Sequence, residues 1–352
     1  MPSEMTGRER MLAACRRQPV DATPVWYMRQ AGRALPEYRK LREKHGILEI
    51  AKTPDLATQV SLMPVRRLGV DAAVLYADIM LVLESMGLPY RIDPDVGPIV
   101  PSPVRTDDDV AALLNIPAEE ATPYVFDAIR QIRGELGGKT AVVGFAGGPF
   151  TLASYMIEGR PTKEFGYSKG LMFSRPDLWR RLMETITGAT LRYLREQVRA
   201  GVDIVQIFES WVGALGPSHY ERYVLPYTQL IFAEIRALGV PTIYFGTAAG
   251  GLLELMALAG SDVLSVDWRV PLDVAWERVG HDRGIQGNLD PTVLSAPAEV
   301  VRQEAADVLR RAGGRPGHIF NLGHGVMPNT DPDSLARLTE FVHAHSSAGV
   351  PA

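Results

Sequence analysis

The sequence is poor in cysteine and has no long hydrophobic run, and each absence excludes a class of protein. Its 352 residues include one cysteine, Cys15. No internal disulfide can therefore form, and no cluster of cysteines and histidines is available to hold zinc or an iron–sulfur centre. No apolar stretch approaches the roughly 20 residues that a membrane-spanning helix needs. The first residues also lack the apolar centre of a secretory signal, so we expect a cytoplasmic protein without a membrane partner.

Several functional motifs are missing as well. No glycine-rich dinucleotide fingerprint follows a predicted strand, and the stretch GFAGGPFT resembles neither a nucleophile elbow nor a phosphate-binding loop. The histidines show no metal-ligand spacing, so no metal site is expected. The net charge of −4 argues against a nucleic-acid partner. Any anion-binding site must therefore be a local cluster.

Short apolar runs recur along the chain and predict the fold. Such runs are typical of strands buried on both faces of a parallel sheet, and helical patterns lie between them. Eight strand candidates alternating with helices predict an α/β protein with a single (β/α)8 TIM-type barrel, although an open doubly wound sheet is an alternative. The candidates are residues 25–28, 72–76, 141–145, 204–208, 242–245, 263–267, 284–288 and 318–322.

Local signals refine this pattern at several places. Thr6 and Glu9 form a potential capping box for an N-terminal helix within residues 1–20. A proline- and glycine-rich stretch in 79–139 predicts an inserted hairpin or long loop after the second strand. Further helices are predicted over 176–201, over 217–239 with a kink or break at an internal proline, over 296–314, and over 331–345 with Asp331 as its cap. Residues 346–352 are expected to fray.

Polar side chains follow the carboxyl ends of the predicted strands, where barrel active sites form. Each has a structural alternative: Arg29 and Arg33 could pair with Glu37 or another carboxylate, and Asp78 could cap a helix. His324 lies between two glycines, which favours a ligand contact. Together the side chains at these strand ends suit a polyanionic small molecule, but they do not indicate a particular reaction. The full set is Arg29, Arg33, Asp78, Tyr155, Ser210 and His324.

The segments PVWYMRQAGRALPEYR, YADIM, GFAGGPFTLASYMIEG, QIFESWVGAL, GNLDP and NLGHGVMPNT together resemble the uroporphyrinogen decarboxylase family. The resemblance covers nearly the whole chain. It implies one barrel domain over residues 1–352, usually a homodimer whose clefts face each other, with no metal or organic cofactor. It also implies a carboxy-lyase that removes the four acetate carboxyl groups of uroporphyrinogen III, giving coproporphyrinogen III and carbon dioxide on the route to haem.

The resemblance further implies roles for individual residues. Arg29 and Asp78 would be catalytic: Arg29 is the candidate proton donor, beside water or a substrate carboxyl, and Asp78 would accept pyrrole N–H groups and stabilise a ring cation. Phe208 would form an apolar wall. The remaining substrate contacts would come from Gln30, Ala31, Gly32, Arg33, Tyr155, Ser210 and His324.

Two rival functions follow from the same sequence. One is a barrel methyltransferase that moves a methyl group between a corrinoid and a thiol. Such enzymes hold zinc through a histidine and cysteines, which Cys15 alone cannot supply. The other is a catalytically silent tetrapyrrole-binding protein. The presence of Asp78 beside the arginines argues against a silent binding protein, but only an activity assay distinguishes such a protein from an enzyme.

Overall fold

A parallel sheet of seven strands forms the centre of the fold, in the order β1–β4–β5–β6–β7–β8–β9. The computed structural model describes residues 4–346. The strands of this sheet are parallel, and each lies beside the next strand of the sheet along the chain. Each connection therefore crosses back along the outside of the sheet. The strands are Ala72–Val74 (β1), Arg91–Asp93 (β2), Gly97–Ile99 (β3), Ala141–Gly147 (β4), Ile204–Glu209 (β5), Thr242–Gly246 (β6), Val263–Ser265 (β7), Gly284–Gln286 (β8) and His318–Ile319 (β9).

Helices fill the connections, which makes the protein a mixed α/β fold. Among residues 4–346, none of them combines the length and apolar composition that a bilayer crossing requires. The α-helices are Gly7–Cys15 (α1), Pro36–Arg42 (α2), Ile47–Lys52 (α3), Pro54–Leu68 (α4), Asp107–Ala111 (α5), Ala118–Ala121 (α6), Pro123–Leu136 (α7), Pro149–Glu158 (α8), Gly166–Ser174 (α9), Pro176–Ala200 (α10), Pro217–Tyr223 (α11), Leu225–Arg236 (α12), Leu253–Ala257 (α13), Leu272–Val279 (α14), Ala298–Ala312 (α15) and Pro332–His345 (α16). Three 3₁₀ helices cover Leu81–Met86, Val212–Ala214 and Pro291–Ser295.

The predicted helix signals are confirmed. Thr6 and Glu9 form the capping box of α1, and Asp331 accepts the Asp333 N–H at the start of α16. The pattern over 217–239 is split into α11 and α12 at Val224. Cys15, in α1, is buried. The predicted fraying of residues 346–352 lies outside the described residues, except for Ser346.

Seven of the eight predicted strands are confirmed, and the prediction for residues 25–28 is wrong. Only Val25 forms a bridge there, parallel to Phe320. The Asp71 N–H donates to the Val25 carbonyl at 2.8 Å, so this segment lies between β9 and β1. It is not a regular strand because side chains accept its N–H groups: Val25 donates to Asp71, Tyr27 to Gln30 and Met28 to Asn321.

The predicted insertion after residues 72–76 is a hairpin. Its strands, β2 and β3, pair antiparallel, with Arg91 opposite Ile99. Asp93 shapes the turn by accepting the N–H groups of Asp95 and Val96, both at 3.1 Å. The hairpin stands apart from the seven-stranded sheet.

Candidate active site

A cavity of about 400 Å³ opens at the carboxyl ends of the strands. Side chains at those ends converge there because parallel strands present the same end at one edge of the sheet. All ten predicted site residues line it: Arg29, Gln30, Ala31, Gly32, Arg33, Asp78, Tyr155, Phe208, Ser210 and His324.

Arg29 and Arg33 form no ion pair among the described residues. Within residues 4–346, neither of them lies within ion-pair distance of a carboxylate, while Glu37 pairs with Arg67 at 3.3 Å. The structural ion pair considered from sequence is therefore absent from this part of the chain. The Arg29 side chain is exposed at the cavity. The surrounding protein removes part of its hydration, and this desolvation, followed by the like charge of Arg33, lowers the pKa of Arg29.

Arg29 has a left-handed backbone, with φ of 61°. This conformation is costly for a residue with a side chain and is found at functional sites. Gly325 makes room for it: a Cβ at Gly325 would lie 2.4 Å from Arg29 Cδ. The Val326 N–H donates to the Met28 carbonyl at 2.8 Å and ties the two loops together. Gly325, which follows His324, therefore leaves the space that the Arg29 side chain occupies.

Replacing Gly325 with alanine is therefore expected to displace the Arg29 side chain. We expect kcat/KM to fall about tenfold or more, because an ångström of misplacement at a site can cost that much. Steady-state kinetics would measure the loss. The control is Gly134→Ala in α7, where a Cβ would meet nothing within 4 Å. Unchanged kinetics in Gly325→Ala would contradict this account of Arg29.

The loop between the arginines offers backbone donors. Among the described residues, the backbone N–H groups of residues 31–33 have no acceptor. Gly32 has φ of 131°, a conformation that favours glycine. Unpaired N–H groups at a cavity wall suit an anion. Together with the two arginines, they make this wall of the cavity suited to an anion.

Gln30 differs from its neighbours because its side chain makes hydrogen bonds inside the fold. Its Oε1 accepts the Tyr27 N–H at 2.9 Å, and its Nε2 donates to the Ala72 carbonyl at 2.8 Å. Gln30 is 2% exposed. The side chain therefore fixes the loop against β1, and a substrate contact from Gln30 would have to come from its backbone.

Asp78 lines the cavity, and it does not cap the 3₁₀ helix that follows. Its Oδ1 accepts the Met80 N–H at 2.9 Å just before that helix, which orients the carboxyl group. Burial raises the pKa of Asp78, against the opposing effects of the Met80 N–H and the Arg29 charge. Burial therefore shifts the equilibrium of Asp78 towards the neutral acid, while a positive charge nearby shifts it towards the carboxylate.

Three phenylalanines form an aromatic wall. Phe145 and Phe208 meet edge to face with ring centres 5.5 Å apart, and Phe208 and Phe245 do so at 6.0 Å. His324 continues the row at 6.3 Å from Phe245. Sequence analysis named only Phe208. Phe145 and Phe245 also end predicted strands, so the same strand-end rule could have found them.

Tyr155 is placed by a buried carboxylate that sequence analysis missed. It lies on α8, and Glu209 accepts the Phe150 and Thr151 N–H groups, both at 2.9 Å, at the start of that helix. Burial raises the pKa of Glu209 to about 7. Burial also raises the pKa of Tyr155 to about 12, so this phenol remains a neutral donor.

His324 is uncharged at neutral pH. Desolvation, followed by the charges of Arg29 and Arg33, lowers the pKa of His324 to about 4. A histidine with an ordinary pKa near 6.5 is half protonated at that pH, whereas His324 stays neutral there. It can therefore donate one hydrogen bond and accept another without adding charge.

An NMR titration of His324 tests this assignment. We expect a midpoint near pH 4 in the free protein, and an upward shift when a polycarboxylate ligand offsets the arginine charges. His281, partly exposed on the surface, provides the comparison resonance. A midpoint at 6.5 or above without ligand would contradict the assignment.

The inserted hairpin also reaches the cavity, which sequence analysis did not predict. Its lining residues are Ile92, Asp93, Pro94, Gly97 and Pro98. No local signal links this hairpin to the strand ends. In residues 4–346 there is no cluster of three or more histidine, cysteine, aspartate or glutamate side chains able to hold a metal ion.

Solved structures share this fold. A methyltransferase from Methanosarcina mazei matches with a TM-score of 0.80 over 98% of this chain and 100% of its own, at 22% identity. A B12-independent methionine synthase from Shewanella sp. matches with a TM-score of 0.56 over 86% and 90%, at 14% identity. At these identities the likeness concerns the fold alone.

Sequence relatives are much closer. Uroporphyrinogen decarboxylase from Carboxydothermus hydrogenoformans is 52% identical over 96% of this chain and 96% of its own. The enzyme of that name from Roseiflexus sp. is 50% identical over 96% and 99%. The family model described as uroporphyrinogen decarboxylase matches residues 6–345. The chain therefore belongs to the uroporphyrinogen decarboxylase family.

Proposed function

We propose that this chain removes the four acetate carboxyl groups of uroporphyrinogen III, giving coproporphyrinogen III and carbon dioxide in haem biosynthesis. The observation that carries the proposal is that Arg29 and Arg33, which form no ion pair within residues 4–346, line one aromatic-walled cavity together with half-buried Asp78. The membership of the family supports the same reaction. No metal or organic cofactor takes part in the proposed reaction.

The cavity suits the chemistry of this substrate. Uroporphyrinogen carries eight carboxylates around a macrocycle with four pyrrole N–H groups. Arginine binds carboxylates through two parallel hydrogen bonds and remains charged at physiological pH, so Arg29 and Arg33 would hold substrate carboxylates. Tyr155, Ser210 and His324 would donate further hydrogen bonds. The macrocycle itself would lie against Phe208.

The proposed reaction begins by turning a pyrrole ring into an electron sink. Protonation of a pyrrole carbon makes the ring cationic, and this cation accepts the electron pair left when the acetate loses carbon dioxide. The Asp78 carboxylate would accept pyrrole N–H bonds and stabilise the cation, as a charge fixed in advance. Arg29 is the proposed proton donor. Its lowered pKa is the direction that favours this role.

We also propose that the protein is a closed (β/α)8 barrel and that residues 1–352 form one domain. The segment around Val25, although it is not a regular strand, would close the barrel in the eighth position, because it bonds to Phe320 just after β9 and to Asp71 just before β1. By family membership, the active form would be a cytoplasmic homodimer with its two cavities facing each other.

Product analysis tests the proposed function. Purified protein incubated anaerobically with freshly reduced uroporphyrinogen III should yield products with seven, six, five and four carboxyl groups, separable by chromatography after oxidation. A tetrapyrrole-binding protein without activity would bind the substrate and return it unchanged. That result would overturn the proposal.

A further inference from the structure

A second cavity, of about 600 Å³, lies at the opposite end of the sheet from the candidate active site. Pro241, Asp262 and Arg283 line it, and each of them directly precedes a strand, namely β6, β7 and β8. The cavity is therefore at the amino ends of these strands. The proposed reaction does not use it, so the inference below is independent of the proposed function.

The lining of this cavity is rich in arginine. Its charged side chains carry a net charge of +2, although the whole chain carries −4. A local excess of positive charge in an acidic protein attracts anions to that place. The charged residues of the lining are four arginines and two aspartates: Arg16, Arg17, Arg236, Arg283, Asp262 and Asp282.

Two of the arginines are held by backbone carbonyls. The Arg236 guanidinium donates to the Gly260 carbonyl. Arg283 donates from Nε to the Val279 carbonyl at 3.1 Å and from Nη1 to the Ala257 carbonyl at 2.7 Å, at the ends of α14 and α13. Neutral carbonyls leave the charges of both arginines in place, so these two side chains are fixed positive charges in the cavity wall.

The two aspartates offset only part of this charge. Asp262 accepts the Thr242 N–H at 2.8 Å and the Thr242 hydroxyl at 2.7 Å, and its Oδ1 lies 3.9 Å from Arg236 Nε. Asp282 Oδ2 lies 3.7 Å from Arg283 Nη2, and its side chain is 76% exposed. Both carboxylates therefore face the arginines that are already fixed.

Arg16 and Arg17, which follow α1, are exposed and have no such partners. Within residues 4–346, neither side chain donates a hydrogen bond or lies within ion-pair distance of a carboxylate. Arg17 has a left-handed backbone, with φ of 54°, which is costly for a residue with a side chain. Gly317 leaves space for it, because a Cβ at Gly317 would lie 3.0 Å from Arg17 Cγ.

Ser261 adds an unused donor to the same cavity. It is 3% exposed, and among the described residues its hydroxyl has no hydrogen-bond partner. Its backbone N–H has no acceptor in that part of the chain either. A buried polar group without a partner is costly. Rotation about the Cα–Cβ bond can turn the hydroxyl towards a ligand, to which it would donate.

We propose that this cavity binds a small molecule that carries a phosphate group. Arg16 and Arg17 would bind the phosphate oxygens, and Ser261 would donate a further hydrogen bond. A phosphate group carries about −1.5 to −2 charges at neutral pH and offers three acceptor oxygens. It therefore balances the net charge of the lining, which a single carboxylate would leave half neutralised.

The size and composition of the cavity restrict the rest of the ligand. Its volume lies within the range of about 300–1,000 Å³ that is common for small-molecule sites, so an organic group has room beside the phosphate. Among the described residues, the lining has no aromatic side chain on which a flat macrocycle could stack. The ligand is therefore a polar phosphate compound and not a second tetrapyrrole.

Isothermal titration calorimetry with inorganic phosphate tests the site. The wild-type protein should bind phosphate here, and Arg17→Gln should weaken this binding by about tenfold or more, because it removes charge-assisted hydrogen bonds. Ser261→Ala should weaken it by a smaller factor. Arg16→Gln should behave like Arg17→Gln, and it decides the question if circular dichroism shows that Arg17→Gln is unfolded.

Two controls separate this site from other arginines. Arg33→Gln alters the candidate active site and should retain the binding that depends on Arg17. Arg66→Gln makes the same change on the exposed surface and should bind as the wild type does. The proposal would be overturned by a wild-type protein that binds no phosphate, by wild-type affinity in both Arg16→Gln and Arg17→Gln, by an equal loss in Arg66→Gln, or by complete loss in Arg33→Gln.

Titrations with two further compounds define the ligand class. Succinate carries two carboxylates, and binding as tight as that of phosphate would overturn the assignment to a phosphate group. Adenosine monophosphate distinguishes the two sources of phosphate: tighter binding than inorganic phosphate would indicate a phosphate ester, and equal or weaker binding would indicate free phosphate. Either result supports the site if Arg17→Gln abolishes it.

Discussion

Asp78→Asn is expected to lower kcat by about 100- to 1000-fold, the cost of losing one preorganised electrostatic contact in a transition state. Asparagine has the size of aspartate, and its Oδ1 can still accept the Met80 N–H. It carries no negative charge, however, so the ring cation would lose its counter-charge. Initial rates of carbon dioxide release would measure the effect.

The variant should remain folded, since a neutral amide also avoids burying a charge. The matched control is Asp331→Asn at the start of α16. Asp331, like Asp78, accepts the backbone N–H two residues ahead, but it lies outside the cavity. Asparagine caps helices as well as aspartate does, so this control should keep full activity. Normal turnover by Asp78→Asn would contradict the cation-stabilising role.

Arg29→Lys is expected to lower kcat/KM by about 10- to 100-fold, because lysine keeps the charge but loses the planar two-bond contact with a carboxylate. Steady-state kinetics would also separate the two roles of Arg29. A loss confined to KM would mean that Arg29 only binds substrate. A loss in kcat at saturating substrate, with an altered pH profile, would support proton donation.

The control for this substitution is Arg39→Lys on the exposed surface of α2. It makes the same chemical change away from the cavity and should leave the kinetics unchanged. Wild-type kcat and KM in Arg29→Lys would contradict the assignment of Arg29 to a substrate carboxylate. An equal loss in Arg39→Lys would show that the effect is not specific to the site.

The strand-end rule accounts for how much of the site could be predicted from sequence. Buried parallel strands give apolar runs that are visible locally, and their carboxyl ends must share one edge. This rule predicts that Asp78 and His324 lie together, and both line the cavity. Arg29 lines it as well, although the segment before it is not a regular strand. Phe145 is the last residue of its predicted strand, so the same rule also predicts that it lies at this edge of the sheet.

Other features depend on contacts between distant segments, which no local pattern reports. The segment from Val25 looks like a strand, but Asp71, 46 residues away, accepts its N–H. Glu209 looks like one more strand-end carboxylate, yet its partners are the first N–H groups of α8.

The most direct test of the account is the carbon dioxide yield from chelator-treated protein. Protein dialysed against a chelator, and assayed with the chelator present, should release four molecules of carbon dioxide per uroporphyrinogen III and leave coproporphyrinogen III. This result would assign the chemistry to the residues of the cavity. No release, or release only after a metal ion or cofactor is restored, would contradict it.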